Sequence, residues 1–177
     1  NLNESSRLEA FNEGTILLGS LTSVRGGYIP LDGSGTLDTS TIVDLQQSRM
    51  EVSNEAVDLH SVVDAGSTAF VINGVNVDFS SLAFANSASF SISGVDLDLS
   101  SLGSAEQAGF TIDASNVDFS TLADVDGADF HISGGVEIAL PSVTSVTNIG
   151  DTTWQADGSG SSLDLSNLTT FETGNYA

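Results

Sequence analysis

From Ala88 to Leu99 apolar and polar positions alternate. Ala88, Phe90 and Ile92 are separated by Ser89 and Ser91, and after a Ser93-Gly94 turn Val95, Leu97 and Leu99 are separated by Asp96 and Asp98. A period of two, carried by β-branched and aromatic residues, predicts half-buried strands rather than helices. The same phrase recurs along the chain: F-V-I-N-G-V-N-V-D-F-S-S-L from Phe70, F-S-I-S-G-V-D-L-D-L-S-S-L from Phe90 and F-T-I-D-A-S-N-V-D-F-S-T-L from Phe110. Phe70, Phe90, Phe110 and Phe130 stand twenty residues apart. The closing apolar landmark runs Leu21, Ile42, Val62, Leu82, Leu102, Leu122, Val143, Leu168, with spacings of 21, 20, 20, 20, 20, 21 and 25.

Twenty residues with two strands, a Gly or Asn turn and a Ser-Ser corner make one coil of a β-solenoid. A single coil cannot bury its apolar face, so stacked coils must share a core. The expectation is an all-β, right-handed parallel β-helix of about eight coils, handed by the crossover rule. Adjacent coils about 4.8 Å apart give a rod on the order of 40 Å long, with the four Phe in one internal column. A β-sandwich is the competing architecture, and the regular spacing argues against it. Residues 15–177 read as one solenoid domain. Residues 1–14 lack the repeat and are read as an N-terminal cap, with Ser5–Phe11 as a short amphipathic helix, or as a linker. Thr170–Ala177 shows no clear cap, which suggests a piece of a longer array.

The phrases L-D-L-S-N-L-T-T-F (163–171), A-L-P-S-V-T-S-V (139–146) and W-Q-A-D-G-S-G-S-S-L-D-L-S-N-L (154–168) resemble the repeats of very large secreted or cell-surface bacterial β-solenoid proteins of adhesin-like type. The resemblance spans roughly residues 15–171. It implies an extracellular or cell-surface scaffold, and no catalytic residue.

Composition sharpens the picture. The 177 residues carry 24 acids against three arginines and no lysine, a net charge of −21. The arginines (Arg7, Arg25, Arg49) all precede Met50, after which 18 acids follow with no Lys or Arg. Binding nucleic acid through its phosphates needs Lys and Arg, so no nucleic-acid partner is expected. Anionic membranes would repel the chain, and no stretch is apolar enough for membrane insertion. Lysine Schiff-base and Walker-lysine chemistry are excluded. The absence of cysteine excludes disulfides, thiol catalysis and Cys-ligated metals. No signal peptide is present, so a secreted protein would be represented by a mature or internal fragment. High charge with abundant Ser, Gly and Asp favours disorder, but 40% hydrophobic residues in periodic order point to a folded chain.

Two acidic features are candidate cation sites. Asp58, Asp78, Asp98 and Asp118 fall twenty apart in an outward position, with Asp38 and Asp164 matching in outer copies. Carboxylates stacked at one strand spacing should repel, and raised pKa values or bound cations would relieve them. Calcium, which takes six to eight oxygen ligands, suits Asp78, Asp98 and Asp118. The alternative is a solvated face. The second feature is Asp124-Val125-Asp126-Gly127-Ala128-Asp129, which resembles the start of a calcium loop but lacks the closing Glu and the Gly offset of an EF-hand. An ordinary polar turn is its default.

Catalytic constellations are weaker. His60 and His131 fall in different columns and coils, which argues against a two-histidine metal site and against a Ser-His-Asp triad. The corner serines are expected to satisfy backbone groups. A polysaccharide lyase needs a base that the repeat body lacks. Two carboxylates at glycosidase distance would mean little in so acidic a chain, and spacings of 20 or 21 between Ile42 and Val143 leave no room for cleft-forming loops. Trp154 aligns with the Phe column, so core packing is favoured over sugar stacking. The position after each stacked Phe reads Val71, Ser91, Thr111, His131, too irregular for an ice-binding face. The expected role is a structural or adhesive module, a spacer or fibre segment, with copies of itself, flanking repeats or surface glycans as partners. A carbohydrate-binding or carbohydrate-cleaving β-helix is the alternative.

Overall fold

The computed structural model describes residues 6–147 and 151–172. Its described residues form strands, turns and bends only, and every strand pairing is parallel. The main sheet has seven strands in the spatial order Tyr28–Leu31, Arg49–Ser53, Ala69–Asn73, Ser89–Ser93, Gly109–Asp113, Asp129–Ser133 and Trp154–Ala156. Strands consecutive in this sheet lie one coil apart in the chain, so the chain winds as a β-solenoid of about seven turns. The eight landmarks delimit seven intervals, which accounts for the difference from eight coils. At the N-terminal end the sheet is continued only by a bridge between Arg7 and Tyr28.

Two further seams close each coil. One holds the aspartate column, with Val57–Asp58 on Val77–Asp78 and Leu97–Asp98 on Val117–Asp118. The other runs through bridges at Asp44, Asp64, Phe84, Ser104 and Asp124, each followed by a buried apolar residue, Leu45, Ala65, Ala85, Ala105 and Val125. At the turn after the main strand Asn54, Gly74, Gly94, Ala114 and Gly134 all have positive φ. Glycine fits there because that region crowds a Cβ.

The core lies between the seams. Phe70, Phe90, Phe110 and Phe130 are buried and stacked, with ring centroids 4.9, 5.1 and 5.0 Å apart. Phe79 and Phe119, from the aspartate seam, stand edge-on to that stack. They occupy alternate coils of a column whose other members include Leu59 and Leu99, so each ring wedges against two stacked Phe.

The N-terminal helix is not formed. Residues 6–14 are non-helical: Leu8 donates its N–H to the Tyr28 carbonyl and Glu13 to that of Ser34. Open backbone groups on the first coil take up this segment, which turns at Asn12–Glu13, where a helix would leave them bare. Residues 1–5 and 173–177 of the two terminal readings lie outside the described residues.

Candidate functional site

The aspartate column shows how the protein treats its own charge. Each member turns Oδ1 back to the N–H two residues later, at the corner of its own coil. The donors are Ser40 to Asp38 (3.1 Å), His60 to Asp58 (3.0 Å), Ser80 to Asp78 (2.9 Å), Ser100 to Asp98 (2.8 Å), Ser120 to Asp118 (2.8 Å) and Ser166 to Asp164 (2.8 Å). This is an Asx turn, in which the side chain supplies the acceptor that the corner's backbone lacks. Hydrogen bonds to an ionised carboxylate favour the charged form. Asp38 and Asp98 are accordingly held below the ordinary carboxylate range by Ser40 and Ser100, hydroxyl first and then N–H. Asp58 is lowered by the N–H and then the imidazole of His60. For these three the raised pKa expected from stacking is reversed, because the corner donors outweigh burial and, at Asp38, the charge of Asp58 as well.

Hydroxyls stitch the same corners between coils. Thr41 donates to the Leu21 carbonyl (2.9 Å), Ser101 to Ser80 (2.7 Å) and Ser142 to Ser120 (2.6 Å). Asn76, Asp96, Asp98, Asn116 and Asp118 line a wide, shallow depression of about 530 Å³. Within it the Asn116 side-chain amide donates to Asp96 Oδ1 at 2.9 Å.

The 124–129 loop is tied to the coil that follows it. Asp126 Oδ1 accepts the Thr147 N–H at 2.6 Å and Asp129 Oδ1 accepts that of Thr153 at 2.5 Å. Asp124 Oδ1 accepts the Asp126 N–H at 3.4 Å. Glu106, one coil below, hydrogen-bonds to Asp124, and that contact, followed by the charges of Asp124 and Asp126, pushes its carboxyl up. Among the described residues no three carboxylates or imidazoles surround a point that a metal ion could occupy. Thus Asp78, Asp98 and Asp118 share one column, while Asp124, Asp126 and Asp129 belong to a different part of the coil, and the two sets do not converge.

One arrangement escaped the sequence reasoning. His60 Nδ1 lies 2.5 Å from Asp58 Oδ1, and Ser61 Oγ lies 3.0 Å from His60 Nε2. The connectivity is that of a Ser-His-Asp relay built on one histidine, so comparing the columns of His60 and His131 did not test for it. The D-x-H-S spelling at 58–61 was the available signal. The relay sits on an open corner, with the His60 and Asp58 side chains 49% and 55% exposed. The depression of about 270 Å³ that Asp58 helps to line includes neither His60 nor Ser61. Stabilising an oxyanion depends on a water-excluded site, which this corner does not supply. His131 lies in the main sheet, paired with Thr111 and Gln155. Trp154 sits in register with Phe130, edge-on at 5.5 Å, and its Nε1 donates to the Ala128 carbonyl, as core packing requires.

The fold defines the chain as a parallel β-solenoid repeat protein. No protein-family model, no curated protein and no solved structure matches it. No helix among the described residues is long and apolar enough to cross a membrane.

Proposed function

We propose that this chain is a non-catalytic structural or adhesive module, a spacer or fibre segment of a larger extracellular bacterial protein located outside the cell or at its surface. The observation that carries the reading is the unbroken coil spacing. Five main-sheet strands follow one another at twenty residues from Arg49 to Ser133, each paired to the next with no inserted loop. A rod of this kind separates or presents what is attached to its ends. Its sides are solvated by charged corners whose aspartates are committed to the fold. A broad glycan array combined with a polysaccharide-degradation screen tests the reading, with no turnover expected. Turnover of any polysaccharide would overturn it.

A second reading, a carbohydrate-binding face, is favoured by the depression that Asn76, Asp96 and Asn116 line, since amides and carboxylates hydrogen-bond sugar hydroxyls. It has no aromatic platform among its lining residues. Array binding lost in Asn116→Ala would support this reading over the spacer.

A further inference from the structure

One side of this acidic rod carries little charge. It is the outer face of the main sheet, between the strands Arg49–Ser53 and Asp129–Ser133. Two outward columns run up it in register. The first is Arg49, Ala69, Ser89, Gly109, Asp129, and the second is Glu51, Val71, Ser91, Thr111, His131. Of the 24 acids in the chain, only Glu51, Asp113 and Asp129 lie in these five strands. Across the middle three strands neither column holds anything larger than Val or Thr, and none of these six residues is buried. Small side chains let a second sheet stack on such a face, at about 10 Å or less.

The charged members stand at the two ends of this face, and their order makes it complementary to itself. A two-fold axis along the Ser89–Ser93 strand reverses the rod while keeping each column over its own copy. Arg49 of one molecule then faces Asp129 of the other, and Glu51 faces His131, each contact occurring twice. Imidazole has an N–H to give a carboxylate in either protonation state. Between these pairs Ala69 meets Gly109, Val71 meets Thr111, and Ser89 and Ser91 meet themselves. In the neighbouring column Asn73 meets Asp113. The parallel two-fold arrangement instead sets Glu51 on Glu51 and His131 on His131, so charge selects the antiparallel one. Arg49 and Glu51 are already ordered within one molecule. Arg49 Nε donates to Glu51 Oε1 at 2.8 Å and the Tyr28 hydroxyl to Oε2 at 2.6 Å, while both side chains stay 36% exposed. Docking therefore costs little further side-chain entropy. Strands about 4.8 Å apart and about 3.3 Å per residue give the seven-stranded face about 500 Å² per molecule, or about 1,000 Å² per pair, the size of a weak, reversible interface.

We infer that the outer face of the main sheet docks on the same face of a second copy, antiparallel, with Arg49 paired to Asp129 and Glu51 to His131 across the joint. This goes beyond the spacer reading and does not rest on it, since the face lies in mid-rod whatever the rod is attached to.

Sedimentation velocity of the full chain over a wide concentration range, at physiological ionic strength, tests the inference, with a monomer–dimer equilibrium expected. Arg49→Asp and Asp129→Arg should each weaken the dimer roughly tenfold or more, because each sets like charges together at two places. An equimolar mixture of the two should dimerise again, since each complements the other at both places. Asp129→Arg lowers the net negative charge by two, so generic repulsion predicts stronger association and the face predicts weaker. Ser91→Arg, at the exposed centre of the face, blocks docking while leaving the Arg49–Glu51 pair intact. Circular dichroism verifies that the variants fold. Orientation is read from single thiols, because the chain has no cysteine. Val71→Cys and Thr111→Cys should form disulfides faster as a mixture than either does alone. A chain that stays monomeric at every concentration would overturn the inference. So would a dimer indifferent to the charge exchange, or one in which Val71→Cys links to itself faster than to Thr111→Cys.

Discussion

Replacing Phe110 by Ala removes a ring that is 1% exposed and held from three directions. Phe90 and Phe130 stack on its faces at 5.1 and 5.0 Å, and Phe119 meets it edge-on at 5.1 Å. Truncating a buried Phe costs about 3–5 kcal/mol, the upper values arising where the surroundings cannot collapse into the space. Collapse is hindered here because the rings above and below are fixed by their own strands, one paired to each edge of Gly109–Asp113. Each aromatic pair adds roughly 0.5–1.5 kcal/mol beyond area, so three lost pairs place the substitution near the top of the range, at about 5 kcal/mol. Domains are stable by about 5–15 kcal/mol in total, so the variant should be close to unfolding at room temperature. Urea titration followed by far-ultraviolet circular dichroism measures the loss. Native-state hydrogen exchange adds its location, with protection falling first in the coils on either side, because coils couple to nearest neighbours. Phe84 provides the contrast: it is half-exposed, and Phe84→Ala should cost less than about 1 kcal/mol. A Phe110→Ala loss below about 2 kcal/mol, or one equal to that of Phe84→Ala, would refute the stacked-column account.

The acid response combines two opposite signs. Asp38, Asp58 and Asp98 have folded values below their usual 3.8, so their contribution is present above that value and disappears as pH falls through the lowered ones. Glu106, raised above its usual 4.5, acts the other way, and the fold gains stability as pH falls through its elevated value. Melting temperature should therefore peak in mild acid, and Glu106→Gln should raise it at neutral pH but not in strong acid. A monotonic profile in both proteins would contradict this. Calcium should raise the melting temperature no further than sodium chloride at matched ionic strength, since the candidate ligands already spend Oδ1 on backbone N–H groups. An excess shift in calcium would instead indicate a specific cation site. Ala114 holds φ +48° in a column otherwise of Gly and Asn over Asn54, Gly74, Gly94 and Gly134. Ala114→Gly relieves a strain of roughly 1–2 kcal/mol against a Gly entropy cost of about 0.5–1, a net gain near 0.5 kcal/mol in chemical denaturation.

The stacked Phe, the aligned Trp154 and the corner serines were legible because side-chain type alone reports them. A residue repeated every twenty positions must sit over its own copy. The third seam was hidden because its outward positions mix Asp44, Asp64 and Asp124 with Phe84 and Ser104, and most of its coils are joined there by single bridges rather than strands. The aspartates were visible as a column, but their corner hydrogen bonds were not. Coulomb repulsion depends on where the charges lie, which the repeat gives, whereas their stabilisation depends on which way Oδ1 turns. The spelling D-x-S at 38–40, 78–80, 98–100, 118–120 and 164–166 held that information. The relay at Asp58, His60 and Ser61 was missed because the search looked across coils for partners that one corner holds together.

Each aspartate corner is closed within its own coil, by an N–H only two residues away, and this has a consequence for how the protein changes over generations. Removing residues 80–99 joins Phe79 to Ser100, so Asp78 meets a serine N–H at the same offset and every inward column closes up in register. Duplicating those residues does the reverse. Coil number can therefore change by whole repeats, each event altering the reach of the rod by about 4.8 Å per coil without a compensating mutation elsewhere.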